Sequence, residues 1–271
     1  MHGRSIGVAT TALIMAAGLA MTGPAMAQDA AAQTAPEYHD APAPIDAILD
    51  TDPTPTPSLS PDRERLALFD RSNLPPISEL AEPMLKLAGY RINPRNNGPA
   101  NSRISWLTGL SFQPIAGGEP RRVALPEGAR LTAPSWSPTG DHVAFLMGQA
   151  DGLELWVADA ASGEARLLTD ARVNAASGSG FSWLPDGSGL VARMTPEGRG
   201  PAPDVSRPPT GPIVEETAGR AAPVRTYQDL LSNAGDEALF DHYFTSQLTL
   251  VPLNGAARPI GEPGVILGVS P

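Results

Sequence analysis

Apolar residues along most of this chain beyond the N-terminal segment fall in short runs bounded by Gly, Pro, Asp and Ser. Three stretches share one pattern: Ser58–Phe69 (SLSPDRERLALF), Ser135–Met147 (SWSPTGDHVAFLM) and Ser182–Met194 (SWLPDGSGLVARM). Proline presets φ at the second turn position, Asp or Thr tolerates the third, and Gly suits the fourth in two of the copies. The run after each turn is rich in β-forming residues. Each copy therefore predicts a tight turn followed by a strand. A fourth begins at Gly268-Val-Ser-Pro271.

The middle copy shows the whole unit. Ser135–Ser137, His142–Met147, Leu153–Asp159 and Glu164–Thr169 read as strands, with turns at Gln149–Gly152 and Ala161–Gly163. Four strands in a meander have the size and rhythm of one β-propeller blade. Pro138 and Pro185 are 47 residues apart, one blade; the spacings on either side are 77 and 86. The surpluses fall on two insertions, Leu74 to about Arg103 and about Glu197 to Gly235.

The predicted fold is all-β: a partial β-propeller of about three four-stranded antiparallel blades with one short helical insertion. The blades are expected at about residues 58–126, 131–170 and 181–260, with the next starting at 267. Closed propellers carry about 4–8 blades, so three leave unpaired edges. The helical insertion starts with Thr226-Tyr-Gln-Asp229, which has the form of a capping box, followed by Leu230 and Leu231. Asp236 and Glu237 are expected in the first turn of a second helix, where carboxylates suit the dipole. Leu239, Phe240, Tyr243 and Phe244 form an aromatic stripe; packing onto the propeller is favoured over a peptide-binding wall.

Composition agrees with many short strands. The 27 glycines and 30 prolines supply a chain breaker at about one position in five, which excludes a long-helix bundle. There is no cysteine, hence no disulfide, thiolate metal site or cysteine nucleophile. Net charge is −10 with no basic stripe, which argues against nucleic acid as a partner. Residues 1–27 read as a signal peptide: Arg4, the uncharged run Ile6–Ala20, and Ala25-Met-Ala27 before Gln28. The run is short for a membrane span, so export to the periplasm or medium is expected, with no span left after cleavage. Residues 28–57 read as a flexible Ala/Pro-rich leader, and residues 58–271 as the N-terminal portion of the propeller.

The sequence has no G-x-S-x-G elbow, phosphate loop, G-x-G-x-x-G or H-E-x-x-H. Ser177-Gly-Ser-Gly180 and Gly187-Ser-Gly189 have the wrong spacing and read as turns. His142 opens a blade strand and His242 lies in the aromatic helix; both read as structural. Asp236 with Glu237, and Glu215 with Glu216, are sequence neighbours that share no helix face. No catalytic, cofactor-binding or metal-binding residue is assigned, and no cofactor is expected.

The blade turns are similar to those of TolB-like propellers. The insertions are more specific. Leu74-Pro-Pro-Ile-Ser-Glu-Leu-Ala-Glu-Pro83 and Leu87-Ala-Gly-Tyr-Arg-Ile-Asn-Pro94 resemble the first blade of bacterial and plastid glutamyl endopeptidases, of the prolyl oligopeptidase family of serine peptidases. Val224-Arg-Thr-Tyr-Gln-Asp-Leu-Leu231, Asp236-Glu-Ala-Leu-Phe-Asp241 and Thr245-Ser-Gln-Leu248 resemble the same subfamily. The resemblance covers roughly Ile45 to Pro271. It implies a C-terminal α/β-hydrolase domain carrying Ser, Asp and His in that order, outside this chain. Peptide substrates would then meet the missing domain, with the propeller as cap and filter, and these residues alone would be inactive. The alternative is a non-catalytic propeller that binds a partner in the cell envelope.

Overall fold

A computed structural model describes residues 42–49, 51–72, 77–100, 106–170, 172–205 and 227–269. The signal peptide, most of the leader, Leu74–Pro76, the segment 206–226 with Thr226, and Ser270–Pro271 lie outside these residues.

Helix α1 (Ala43–Leu49) precedes the first strand, so the stretch read as leader contains a helix. The first blade then comprises β1 (Thr56–Leu59), β2 (Arg65–Arg71), an insertion, and two further strands. The insertion holds α2 (Ile77–Leu80) and a three-stranded sheet of β3 (Leu85–Leu87), β4 (Tyr90–Asn93) and β5 (Gly98–Pro99). Strand β6 (Leu107–Pro114) returns beside β2, and β7 (Arg121–Arg122) pairs on β6. The second blade is β8 (Leu131–Trp136), β9 (His142–Gly148), β10 (Leu153–Asp159) and β11 (Ala165–Leu167). The third is β12 (Phe181–Trp183), β13 (Gly189–Met194), helix α3 (Ala234–Phe244), β14 (Thr245–Pro252) and β15 (Arg258–Val265). All pairings are antiparallel and sequential within a blade, and a single pair, Leu107 with Leu131, joins the first blade to the second. The expected fold of three four-stranded blades is the observed one.

The repeated turns fold through one hydrogen bond each. The N–H of Arg63, Gly140 and Gly187 donates to the carbonyl three residues back, on Ser60, Ser137 and Leu184, at 2.9–3.0 Å. All three donors have positive φ, +61°, +79° and +72°. That is why glycine recurs at this position, and why Arg63 is the strained member of the set.

Strand β9 explains its unbroken apolar run. Val143, Phe145 and Met147 enter the core shared with Ala67, Phe69, Leu110 and Phe112 of the first blade. Ala144 and Leu146 enter the core shared with Trp183, Leu190 and Ala192 of the third. A blade packed on both faces needs apolar residues at both parities, so alternation disappears. Burying each Leu or Phe contributes about 1.5–3 kcal/mol before entropy is counted.

One local expectation fails. Tyr227–Ser232 is not helical; the helix begins only after Asn233, whose side chain accepts from the N–H groups of Gly235 and Asp236. Asp229 adopts φ +56°. Its carbonyl accepts from Gly89 N–H at 3.1 Å, and its carboxylate faces Arg91 at 3.5 Å. Contacts to the other insertion thus override the local helix signal. Asp236 and Glu237 do occupy the first turn of α3.

Candidate functional site at the paired insertions

Both insertions connect the second strand of a blade to the third. Topology therefore brings them out at the same end, opposite the proline turns. There they pack together: Leu87 and Ile92 from the first blade's insertion share a core with Leu239, Tyr243 and Phe244 of α3. Tyr90 lies 5.2 Å from Phe244, and Phe240 stacks on Phe244 at 4.3 Å between centroids. The aromatic stripe is packing, as the sequence suggested, and not an open wall.

A polar lock fixes this junction. Asn97 and Asn174 both donate to the main-chain carbonyl of Tyr243, at 3.0 and 2.8 Å, and Asn174 also reaches Thr245 O at 3.2 Å. Both asparagines are buried. Arg199 donates to Asn97 Oδ1 at 2.8 Å and lies over the Tyr243 ring at 5.7 Å. Burial holds the Arg199 guanidinium below the usual arginine range. Burial, and then the nearby Arg199 charge, holds His242 below the usual imidazole range. Arg130 ties the same end to the second blade, facing Glu82 at 3.3 Å and Glu79 at 3.8 Å with Trp106 beneath it at 4.6 Å. Burial raises Glu79 above the usual carboxylate range, against the pull of Arg130.

Sequence reasoning missed this lock. Asn97 sits in a Pro/Gly-rich hairpin and Asn174 in a loop, and neither position carries a pattern that distinguishes a buried asparagine from a turn residue.

Of the two described histidines, His142 faces a carboxylate: its Nε2 is 3.7 Å from Asp159 Oδ2. Ser162 Oγ donates to Asp159 Oδ1 at 2.9 Å. A serine, an aspartate and a histidine thus meet, but with the carboxylate in the middle. A hydrolytic relay needs histidine between serine and carboxylate, so that one ring nitrogen takes the serine proton and the other is oriented by the acid. Burial raises Asp159, and hydrogen bonds from Ser162 and Ala161 outweigh it, leaving the group below the usual range. This cluster caps a turn and cannot activate a nucleophile.

Among the described residues, no group of three or more His, Asp or Glu could hold a metal ion. Among them, too, no helix is long and apolar enough to cross a membrane.

No family model matches the chain. It is 36% identical over 249 residues to a probable chloroplastic glutamyl endopeptidase of Oryza sativa subsp. japonica, covering 86% of this chain and 26% of that protein. A probable chloroplastic glutamyl endopeptidase of Arabidopsis thaliana is 35% identical over 238 residues, covering 83% and 24%. The chain thus spans about a quarter of the length of the curated relatives it matches. Among solved structures, the β-propeller domain of the Trilobed protease from Pyrococcus furiosus aligns with 79% of this chain and 58% of its own, at 11% identity and a TM-score of 0.31. A prolyl endopeptidase aligns with 79% of this chain and 23% of its own, at 16% identity and a TM-score of 0.40. Those structural likenesses are too slight to argue from, and the blades rest on the strand order itself. With identity of 35–36% over more than four fifths of the chain, the chain belongs to the glutamyl endopeptidase family.

Proposed function

We propose that this chain is the propeller part of an exported serine peptidase that cleaves after glutamate, and that it caps the catalytic domain and filters flexible peptides. The observation that carries the reading is the identity of 36% over 249 residues to a protein named a glutamyl endopeptidase. Export is supported by Arg4, the run Ile6–Ala20 and Ala25-Met-Ala27. The filtering role is supported by the elaborated end of the blades: two insertions locked by buried asparagines make a rigid rim. A rigid rim admits an extended chain and excludes a folded one.

The chemistry belongs to residues beyond these. A serine attacked by no base stays protonated, and the Ser162–Asp159–His142 wiring offers none. The 271-residue chain is accordingly inactive by itself in this reading.

The test is to express the complete reading frame and present two unstructured peptides that differ only by Glu against Gln. Cleavage after Glu, with the Gln peptide and a folded protein left intact, supports the proposal. Equal cleavage of both peptides, or none, contradicts it. Intact mass of the exported protein should place its N-terminus at Gln28.

A further inference from the structure

The sequence contains two Asn-Gly pairs, Asn97-Gly98 and Asn254-Gly255. This dipeptide is chemically labile, because glycine has no Cβ to keep its amide nitrogen away from the asparagine side-chain carbonyl. Closure to a cyclic imide needs an unheld side-chain amide and a backbone N–H free to turn toward it. The fold treats the two pairs in opposite ways. Asn97 is 4% exposed. Its Nδ2 donates to Tyr243 O at 3.0 Å and its Oδ1 accepts from Arg199 at 2.8 Å, so both ends of the amide are held. The attacking group is held too: Gly98 N–H donates to Asn96 Oδ1 at 3.0 Å.

Asn254 lies at the tip of the hairpin that joins β14 to β15, and Asn254, Gly255 and Ala256 are all exposed. Among the described residues nothing hydrogen-bonds the Asn254 side chain or the Gly255 N–H. The root of the hairpin is anchored instead. Leu253 N–H donates to Ser188 O at 2.9 Å, and Leu253 O accepts from Arg166 of the second blade. These anchors hold the hairpin against the second blade, which is a complete neighbour, and leave its tip free. Asn254 and Arg166 line one cavity of about 580 Å³ together with His142, Asp159 and Glu164.

We propose that Asn254 deamidates spontaneously in the folded protein, and that the reaction places a new carboxylate in the cleft between the second and third blades, beside Arg166. The Gly255 nitrogen bonds to Asn254 Cγ and gives up its proton. The bond from Cγ to the side-chain nitrogen breaks, and that nitrogen leaves with the proton as ammonia. Water then adds to either carbonyl of the imide and opens it to aspartate or isoaspartate. One water is consumed and one ammonia released, with no change of oxidation state. The product is ionised at neutral pH. Isoaspartate also carries the main chain through the former side chain, lengthening the turn between Leu253 and Arg258.

The experiment incubates the 271-residue chain and the complete protein in heavy-oxygen water at mildly alkaline pH and follows both asparagines by peptide mass mapping. Aspartate and isoaspartate carrying one heavy oxygen are expected at residue 254 in both proteins. Reaction at Asn97 should be at least about tenfold slower, because its buried hydrogen bonds must open first. In urea the two sites should react at comparable rates, since the fold and not the dipeptide sets the difference. In the chain labelled with ¹⁵N-arginine, the Arg166 Nε resonance, assigned with Arg166→Lys, should shift as product accumulates and stay fixed in Asn254→Gln. Protection of Asn254 in either folded protein, reaction at Asn97 as fast as at Asn254, or the same ratio of rates in urea overturns the proposal. An Arg166 resonance unmoved at full conversion overturns the placement of the new charge.

Discussion

The indole N–H of Trp183 donates to the main-chain carbonyl of Ser135 at 3.1 Å. One blade earlier, Trp136 donates to Ser58 O at 3.4 Å. In the repeat these are the same two positions, the tryptophan of one first strand and the serine of the preceding one. Each blade is thereby stitched to its predecessor at the strand that leads into the proline turn. The first copy has Leu59 there, 49% exposed, and the fourth has Val269.

Replacing Trp183 with Phe keeps most of the buried ring and removes the stitch, which should cost about 1 kcal/mol. Trp183→Ala should cost about 3–5 kcal/mol, because Trp183 is only 7% exposed and sits in the core between the second and third blades. Trp136→Phe should cost less than Trp183→Phe, since its bond is longer. Urea denaturation of the three variants checks the order.

The turns offer a second comparison. A Cβ on Gly140 would lie 2.8 Å from the Asp62 carboxyl carbon, in a backbone with φ +79°. Gly140→Ala should therefore destabilise by more than about 1 kcal/mol. Gly117→Ala, where φ is +98° but nothing lies within 4 Å, is the control for backbone strain alone. Arg63→Gly should be neutral or stabilising, because Arg63 holds φ +61° at the same turn position. Thermal melts of the three report the pattern.

Much of this architecture was legible in the sequence because it is local. A turn of Pro, Asp and Gly specifies itself within four residues, and the strands beside it need only β-formers. Strand β15 was harder to bound. It carries Pro259 and Pro263, residues a paired strand avoids, and it tolerates them as the outermost strand of its sheet. The helix expected from Thr226 failed for the opposite reason: Asp229 is claimed by Gly89 and Arg91, more than a hundred positions away. The junction between insertions is equally non-local.

At that junction, Asn174→Ala removes two donated hydrogen bonds and the one accepted from Ala176 N–H. The cost should be about 2 kcal/mol, with Tyr243 O still accepting from Asn97. Asn97→Ala shares the acceptor Tyr243 O, so each single variant leaves that carbonyl one donor and the double variant should cost more than the two single values combined. Equilibrium unfolding of the four-protein cycle measures the coupling.

His242 adds a pH dependence. Its folded pKa is depressed by burial and by Arg199, so the folded state favours neutral imidazole. The unfolded chain takes up the proton first as pH falls through the ordinary histidine range, about 6.5, so stability is full above it and declines below. The melting temperature should drop between about pH 7 and pH 5, more steeply than in His242→Gln. Parallel curves for the two proteins would contradict this assignment.

The most direct measurement is labelling by a fluorophosphonate probe, applied in parallel to the complete protein and to the 271-residue chain. The account predicts one labelled serine in the complete protein, located beyond Pro271, and no labelling of the shorter chain. Labelling of the 271-residue chain, abolished by one serine substitution within it, would contradict the account, as would a complete protein that does not label at all.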